Sequence, residues 1–319
     1  MEAAVILTYR CNCRCYMCNT WKFPTRADDE IGARDLEKLP GGLAFCNLTG
    51  GEPFLRDDIG DIVDVMSARS RRIVISTNGF LTERIVALVR KHPRVGIRVS
   101  LEGLPAANDE LRGIRDGFDH GLRTLMELQR LGSKDIGFGI TVSDRNHQDM
   151  IELYQLAKNL GFEFATAAVH NSFYFHKLDN RFERPEDAIR SFEQLIEELL
   201  KTNRVKNWFR AYFNHGLTNY IRGNPRLLPC EAGTENFFVC PNGDVVPCNG
   251  SDEPMVMGNL RTQTWDAIWN GEPARRIRLQ VRNCPKNCWM IGTAAPVMKK
   301  YAWKPAGWVV KNKLRRAFS

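Results

Sequence analysis

The stretch "CNCRCYMC" (residues 11–18) follows the apolar run "AAVILTY" (residues 3–9) and holds four of the chain's ten cysteines. The apolar run is rich in residues that favour β-structure, so it predicts a buried strand that ends just before the cysteines. The other cysteines are Cys46 and a late group near the C-terminus, with none in between: Cys230, Cys240, Cys248, Cys284 and Cys288. This distribution predicts two separate thiolate sites, one near each end of the chain.

The composition is that of an ordinary globular protein. The chain has 319 residues, of which 43% are hydrophobic and 26% are charged. No apolar run approaches the roughly 20 residues that a membrane span needs. The N-terminus also lacks a secretory signal, so we expect a cytoplasmic protein whose clustered cysteines bind metal rather than form disulfides. The net charge of +8 is concentrated in the last 21 residues, so no nucleic-acid partner is expected.

Strand-like runs alternate with helix-patterned segments in the first half of the chain. The strand-like runs are 3–9, 42–50, 72–79, 95–103, 136–143 and 162–170, and the helical segments lie near 59–70, 82–91, 118–131 and 148–160. This alternation predicts parallel strands with right-handed crossovers. Six such units suit a partial (β/α)6 barrel or an open doubly wound sheet.

Alternate residues of these strands favour the barrel. Polar residues and glycines share one face of several strands: Asn47 and Thr49; Gly96, Arg98, Ser100 and Glu102; Gly137, Gly139, Thr141 and Ser143; and Thr166, Ala168 and His170. Buried parallel strands are usually apolar on both faces. We therefore expect an α/β fold of the TIM-barrel type with a cavity lined for a ligand.

Cys11, Cys15 and Cys18 have the spacing C-x3-C-x2-C. Three thiolates can hold three irons of a [4Fe–4S] cluster and leave the fourth iron open. Zinc would need a fourth ligand, and Cys13 is a poor one because it lies between two of the others. The sequence resembles the radical S-adenosylmethionine (SAM) superfamily, whose defining motif has this spacing after this strand. The resemblance implies that SAM binds the open iron.

Further short motifs extend this resemblance along the chain. "TGGEP" (49–53), "STNG" (76–79) and "SLEG" (100–103) each end a predicted strand, in the order that the family shows. Ligands sit at the carboxyl ends of parallel strands, where these motifs fall. The resemblance implies the following SAM contacts: Gly50, Gly51, Glu52, Pro53, Ser76, Asn78, Ser100 and Glu102.

The late cysteines accompany a hairpin signal. "FFVCPNGDVVPC" (237–248) has two apolar runs around Asn242-Gly243, which is a strong turn signal. The region resembles the SPASM and twitch auxiliary-cluster domains, which implies that a second [4Fe–4S] cluster binds to Cys230, Cys248, Cys284 and Cys288. Cys240 is left over, and a zinc ribbon is the alternative. We expect domains at 1–185 (barrel), 186–228 (helical connection), 229–292 (auxiliary cluster) and 293–319 (tail).

The resemblance implies a radical mechanism. The reduced first cluster would cleave SAM to a 5′-deoxyadenosyl radical that removes hydrogen from an unactivated C–H bond, with a flavodoxin- or ferredoxin-type protein as the electron donor. A second cluster without an open iron suits an electron acceptor, and therefore an oxidoreductase. Such an oxidation also needs a proton acceptor. Arg98, Glu102 and His170 are candidates because they lie on the strand faces predicted to line the cavity. Each of these residues could equally be structural.

The substrate is open between several classes. Many relatives with auxiliary clusters modify ribosomal peptides and carry an N-terminal leader-binding domain, for which this sequence leaves no room before residue 11. We therefore expect a sugar, an aminocyclitol or a nucleotide- or lipid-linked saccharide, with a peptide maturase as the alternative. A non-enzymatic electron-transfer protein is a third possibility, but it would not explain the SAM-like motifs.

The C-terminal tail combines apolar and basic residues at near-helical spacing. The apolar residues are Trp308, Val309, Val310, Leu314, Ala317 and Phe318, and Lys311, Lys313, Arg315 and Arg316 are interleaved with them. Such a helix can lie on an anionic membrane surface. Alternatively, Trp308 and its neighbours dock on the barrel and the charges are merely solvated.

Overall fold

The computed structural model describes residues 1–317, with side chains to residue 315. Its centre is one nine-stranded sheet with the order β6-β5-β4-β3-β2-β1-β7-β8-β9, in which β1 to β7 are parallel. The strands are β1 (Glu2–Ile6), β2 (Phe45–Thr49), β3 (Ile73–Thr77), β4 (Gly96–Ser100), β5 (Ile136–Val142), β6 (Glu163–Ala168), β7 (Asn236–Val239), β8 (Asp244–Val246) and β9 (Gly258–Asn259).

Helices connect the parallel strands and cover the outer face of the sheet. They are α1 (Ala33–Leu36), α2 (Ile59–Arg69), α3 (Thr82–Lys91), α4 (Pro105–Arg112), α5 (Gly117–Arg130), α6 (Met150–Leu160), α7 (Pro185–Lys201), α8 (Val205–Ile221), α9 (Trp265–Asn270), α10 (Glu272–Arg282), α11 (Ile291–Lys300) and α12 (Trp303–Ala317). The six strand–helix units of the first half confirm the predicted α/β partial barrel, with one further helix, α4, ahead of α5.

The main core lies between the sheet and these helices. The alternate residues Val5, Leu48, Ile75, Val99 and Phe138 face the helices and are fully buried. This burial follows from the period of two along a strand, which puts each apolar set on one side. The opposite faces of β2, β4 and β5 carry the polar and glycine residues that the sequence indicated, and several of these residues are only half-buried.

The predicted face of β6 was wrong. Thr166 pairs in register with Ile140, and Ala168 pairs with Val142, so both lie on the helix-facing side of the sheet. Thr166 Oγ1 donates a hydrogen bond to Asn214 Oδ1 of α8 at 2.7 Å. Its hydroxyl therefore finds a partner in the helix layer, and a polar strand residue need not mark the cavity side.

The hairpin of the late cysteine region is part of the main sheet. β7 pairs in parallel with β1, and β8 and β9 continue the sheet in antiparallel fashion. A small apolar cluster on the inner face joins the two regions: Ala4, Ile6, Tyr174, Phe238, Cys240 and Val246. The domain boundaries given above remain predictions, but this pairing fixes the late cysteine region beside β1.

The tail forms α12, which packs on α8. Trp308 stacks on the ring of His215 with centroids 4.8 Å apart, and Val309 is buried. The side chains of Arg316, Ala317 and Phe318, which the sequence prediction included, lie outside the described part of the chain. Within residues 1–317, no helix combines the length and the apolar character that crossing a bilayer requires.

Candidate functional site

The loop of the first four cysteines (residues 11–18) leaves the carboxyl end of β1 and is held against α4. The Arg14 N–H donates to the Arg112 carbonyl at 2.9 Å, and the Tyr16 N–H donates to the Leu111 carbonyl at 2.7 Å. These backbone bonds fix the loop at two points. The cysteines between them therefore project from a defined backbone rather than from a free loop.

The thiols of this loop lie close together. The Cys13 N–H donates to Cys11 Sγ at 3.4 Å, and Cys18 Sγ lies 3.0 Å from Thr20 Oγ1. A hydrogen bond with Cys11 raises the pKa of the Cys13 thiol to about 11, and one with Cys13 raises the pKa of the Cys15 thiol well above its usual value. Crowded thiols share protons in this way, and a metal centre would replace those protons.

One buried arginine lies beside these thiols. Arg112 Nη1 forms an ion pair with Glu102 Oε1 at 3.3 Å, and Nη2 lies 3.9 Å from Cys13 Sγ. Burial lowers the pKa of this guanidinium, but the Coulombic effect of Cys15, Cys13 and Glu102 outweighs it and the net pKa is raised. A permanent positive charge at this position offsets the negative charge that thiolates and a cluster would bring.

Two glycines of "TGGEP" allow two chain segments to touch. A Cβ on Gly50 would lie 2.6 Å from the Thr8 carbonyl oxygen, and one on Gly51 would lie 2.2 Å from that of Arg10. Gly50 also has φ +159, at the limit of what other residues adopt. The glycines are thus required by the close approach of the segment that joins β1 to the cysteine loop, and their contact with SAM stays a prediction.

The Glu52 carboxylate is fully buried and accepts three hydrogen bonds from within the protein. It accepts from the Phe54 N–H at 3.0 Å, from Thr77 Oγ1 at 2.8 Å and from the Asn78 N–H at 2.7 Å. Burial raises its pKa. Glu52 therefore ties the turn that begins at Pro53 to the end of β3, and so positions the neighbouring polar side chains.

The residues predicted to contact SAM lie at one edge of the sheet. Ser76 Oγ donates to Asn47 Oδ1 at 3.0 Å, and Asn78 Nδ2 donates to Asn12 Oδ1 of the cysteine loop at 2.6 Å. Ser100 is the last residue of β4 and is half-buried. The structure thus brings the ends of β2, β3 and β4 to the cysteine loop, and their contact with SAM stays a prediction.

Of the three proton-acceptor candidates, Arg98 and Glu102 are held by structural partners. Arg98 forms an ion pair with Asp135, which precedes β5 and so lies at the opposite edge of the sheet from the cysteine loop. Glu102 accepts from the Thr141 N–H at 2.6 Å, in addition to its ion pair with Arg112. The structure does not bring Arg98 to the cysteines, whereas Glu102 supports the arginine beside them.

The four late cysteines come from three separate segments. Cys230 follows α8, Cys248 follows β8, and Cys284 and Cys288 follow α10. Three of them (Cys230, Cys284 and Cys288) line a cavity of about 860 Å³, and Cys248 interacts electrostatically with Cys288 and Cys230. Burial raises the pKa of the Cys248 thiol to about 11.

This auxiliary cavity is positively charged. Its charged lining residues are all cationic, without a single carboxylate: Arg226, Arg282, Lys286 and Lys304. Arg226 Nη1 donates to the Cys288 carbonyl, its guanidinium lies 5.2 Å from the centroid of the Trp289 ring, and its Nη2 is buried without a partner among the described residues. A buried guanidinium N–H without a partner is costly in free energy.

His170 lines the same cavity. Its Nδ1 lies 3.0 Å from the Ala168 carbonyl oxygen, and its Nε2 is buried with no hydrogen-bond partner in the described part of the chain. Because a carbonyl only accepts, Nδ1 carries the hydrogen and Nε2 keeps its lone pair. Burial lowers the pKa of this imidazole, so the neutral form is favoured.

Both cysteine sets fit iron–sulfur clusters. Each combines thiols with an arginine, buried in the first site and half-buried in the second, and the auxiliary cavity also has room for a cluster. Within the described residues, no three Cys, His, Asp or Glu side chains are spaced to hold a single metal ion. A [4Fe–4S] cluster distributes its cysteines over several irons.

Sequence reasoning missed the two arginines. Arg112 stands in "LRG" (111–113) and Arg226 in "NPRLLPC" (224–230), and neither sequence context marks a buried charge. Arg112 is separated from Cys13 by 99 residues along the chain, which hid it. Arg226, four residues before Cys230, was a weak signal.

Comparison with known proteins identifies both regions. Residues 5–157 match the model of the radical SAM superfamily, and residues 230–290 match that of SPASM, an iron–sulfur cluster-binding domain. The two domains imply two [4Fe–4S] clusters and SAM as cofactors.

Two curated relatives align over most of the chain. An AdoMet-dependent heme synthase of Methanosarcina barkeri is 28% identical and covers 85% of this chain and 83% of its own length. The mycofactocin maturase MftC of Mycolicibacterium smegmatis is 31% identical, over 85% of this chain and 71% of its own. Among solved structures, native anSMEcpe with bound AdoMet and the Cp18Cys peptide has a TM-score of 0.63 at 15% identity, and covers 88% of this chain and 82% of its own. This last likeness shows the fold.

Proposed function

This chain belongs to the radical SAM superfamily, with a C-terminal SPASM domain, and we propose that it oxidatively modifies a ribosomally made peptide. The peptide replaces the saccharide that the sequence favoured, because neither relative described above is named for a saccharide and one is a maturase. The oxidative outcome depends on the second cluster, which would accept the electron. A flavodoxin- or ferredoxin-type protein is the electron donor that we propose.

One pocket carries the proposal. It has a volume of about 700 Å³ and lies at the carboxyl edge of the sheet, between the end of β1, the segment 172–178 and the β7–β8 turn. Aromatic rings form much of its wall: Tyr9, Phe23, Phe173 and His176. The His176 ring lies edge-on to Tyr9 at 5.0 Å and tilted against Phe23 at 4.8 Å. Such a wall suits an apolar or aromatic side chain of a peptide.

The pocket touches both cysteine regions. The segment that carries His176 is tied to the first cysteine loop, because Asn19 donates from its N–H to the Phe175 carbonyl at 2.8 Å and from Nδ2 to the His176 carbonyl at 3.1 Å. On the other side, Ser172 Oγ donates to the Asn249 carbonyl, next to Cys248. A substrate in this pocket would lie between the two sites that an oxidation has to use.

The first cluster, which Cys11, Cys15 and Cys18 would hold, would supply with SAM a radical that removes a hydrogen atom from the substrate. The second cluster, which Cys230, Cys248, Cys284 and Cys288 would hold, would accept one electron. The protein must then hold the substrate carbon in position and remove one proton. His170 is the residue that we propose for the proton: it lines the auxiliary cavity, and its ring lies 5.1 Å from the ring of Phe175, in the segment 172–178 that borders the substrate pocket. Loss of one hydrogen atom, one electron and one proton leaves the peptide two hydrogens lighter.

The test is anaerobic reconstitution with iron, sulfide, SAM and reductant, and incubation with peptides encoded beside the gene. We expect 5′-deoxyadenosine and a peptide whose mass is lower by two hydrogens. The variant His170→Gln should still form 5′-deoxyadenosine but yield less of the oxidised peptide, with iron content unchanged. Formation of 5′-deoxyadenosine without any change in these peptides would contradict the substrate class.

A tetrapyrrole is the second candidate, favoured by the alignment with a heme synthase over 85% of this chain. The aromatic wall would also suit a planar macrocycle. The same assay separates the two, because iron coproporphyrin can be supplied in place of peptide. A mass change in the porphyrin alone would assign the tetrapyrrole, and one in the peptide alone would assign the maturase.

A further inference from the structure

We propose that one face of α12 is a contact surface for anionic membranes. We call this face the outer stripe; it consists of Trp303, Val310 and Leu314. It would hold the enzyme on a bilayer surface without crossing it.

The helix is apolar on two opposite sides, and only one of them is docked. On the inner side, Trp308 stacks on His215, Val309 is buried, and Lys313 Nζ lies 4.4 Å from the centroid of the Trp208 ring and donates to the Thr202 carbonyl at 3.1 Å. This packing confirms the docking alternative for Trp308. It also fixes the rotation of α12, so the opposite face cannot turn inward.

The outer stripe stays exposed. The relative exposures of Trp303, Val310 and Leu314 are 64%, 57% and 54%. Successive members lie seven and four residues apart, which is close to whole turns of an α-helix, so the three side chains form one line. Exposed apolar residues are normal singly, but a line of three that includes a tryptophan indicates an interaction surface.

Charge on the same helix favours an anionic surface. Residues 303–317, which form α12, contain five Lys or Arg and no acid. Lys313 is on the docked side, whereas Lys311 and Arg315 are exposed and form no ion pair with any described residue. Lys311 and Arg315 flank the outer stripe on one side of the helix, one and five residues after Val310.

A lipid surface suits this geometry better than a protein groove. The stripe is a single straight row on a convex helix, and tryptophan favours the boundary between headgroups and acyl chains. A basic amphipathic helix of this kind lies in the plane of the interface with its apolar side inserted. The proposal is independent of the substrate.

The experiment is sedimentation of the reconstituted full-length enzyme with vesicles of phosphatidylcholine and phosphatidylglycerol. We expect binding that weakens as salt is raised. The variant W303Q/V310Q/L314Q should bind these vesicles about tenfold more weakly. The variant K311Q/R315Q should lose a similar factor in binding, and only on vesicles that contain phosphatidylglycerol, because the lost attraction is electrostatic. The control L131Q/L279Q removes one exposed apolar residue at the end of α5 and one in α10. It should bind the vesicles as the wild type does. Visible absorption of the clusters verifies folding in each variant.

Three results would overturn the proposal. The first is no binding of the wild type to anionic vesicles, and the second is equal binding by W303Q/V310Q/L314Q and wild type. The third is self-association of the wild type, measured without vesicles, that W303Q/V310Q/L314Q loses while vesicle binding is unchanged. That last result would make the outer stripe an interface between copies of this chain.

Discussion

The two cysteine sites differ in how the arginine beside the thiols is paired. Both place an arginine beside several thiols, but Arg112 is buried and engaged by Glu102 and Cys13, whereas Arg226 is half-buried and its Nη2 has no partner among the described residues. The first site is a single loop fixed by backbone bonds to α4, and the second is a cavity assembled from distant segments.

This difference shows how charge serves two kinds of site. An arginine already balanced by a carboxylate supports a rigid loop in the absence of any cofactor. An arginine with an unused donor gains its partner only when the cavity is filled, so it acts on the group that fills it. We therefore expect changes at Arg112 to alter folding and changes at Arg226 to alter the properties of the second cluster.

The largest effect should come from the first cysteine set. Replacing Cys11, Cys15 and Cys18 with alanine should remove roughly four irons per chain and abolish 5′-deoxyadenosine formation. The second cluster has its own ligands, so visible iron–sulfur absorption should persist. Iron analysis and liquid chromatography of the SAM products measure both.

Single variants test the ligand assignment within that loop. Cys11→Ala should lose the first cluster, and Cys13→Ala should keep it. The opposite pattern would make Cys13 a ligand. The test is needed because Cys13 is buried beside Arg112, close to the predicted ligands.

Replacing the four late cysteines with serine should separate the sites in the other direction. We expect loss of roughly four irons, retained cleavage of SAM and no oxidised product, because the electron acceptor is missing. Cys240→Ala is the matched control: this buried thiol belongs to the inner apolar cluster, so both clusters should remain. Loss of the second cluster in Cys240→Ala would change the ligand set.

Arg112→Met should destabilise the reduced apoprotein by about 3–5 kcal/mol, because it leaves the buried Glu102 carboxylate without its partner. Adding Glu102→Gln to this variant should recover part of the loss. Arg115→Met is the control, since its ion pair with Asp116 is exposed and should contribute less than about 1 kcal/mol. Urea unfolding under anaerobic conditions measures all of them, and equal midpoints for Arg112→Met and Arg115→Met would refute the structural role.

The smallest effect should be that of Arg226→Gln. Removing a positive charge from the auxiliary cavity should lower the reduction potential of the second cluster by on the order of 50 mV. Iron content should stay the same, and Arg226→Lys should lower the reduction potential by less than Arg226→Gln does, because it keeps the positive charge. A redox titration followed by electron paramagnetic resonance measures the shift. An unchanged potential would mean that the unpaired Nη2 does not contact the cluster.

The sequence by itself determined the features that depend on local spacing. The spacing of Cys11, Cys15 and Cys18 predicted the first cluster, and the period of two in β4 and β5 predicted both the buried faces and the polar ones. Successive strand–helix units predicted the partial barrel. The predictions of the strand faces and of the partial barrel succeeded because the positions concerned are close along the chain, where backbone geometry alone sets which side chains meet. The assignment of Cys11, Cys15 and Cys18 to the cluster stays a prediction.

Only the tertiary structure decided which distant groups meet. Thr166 turned toward α8, Arg98 found Asp135 at the far edge of the sheet, and Arg112 came to lie beside Cys13. β7 joined β1, which put the late cysteine region beside the first, and α12 buried Trp308 while leaving Val310 exposed. Each pairing depends on the packing of segments far apart in the chain, where a buried polar group takes whichever partner the fold brings within reach.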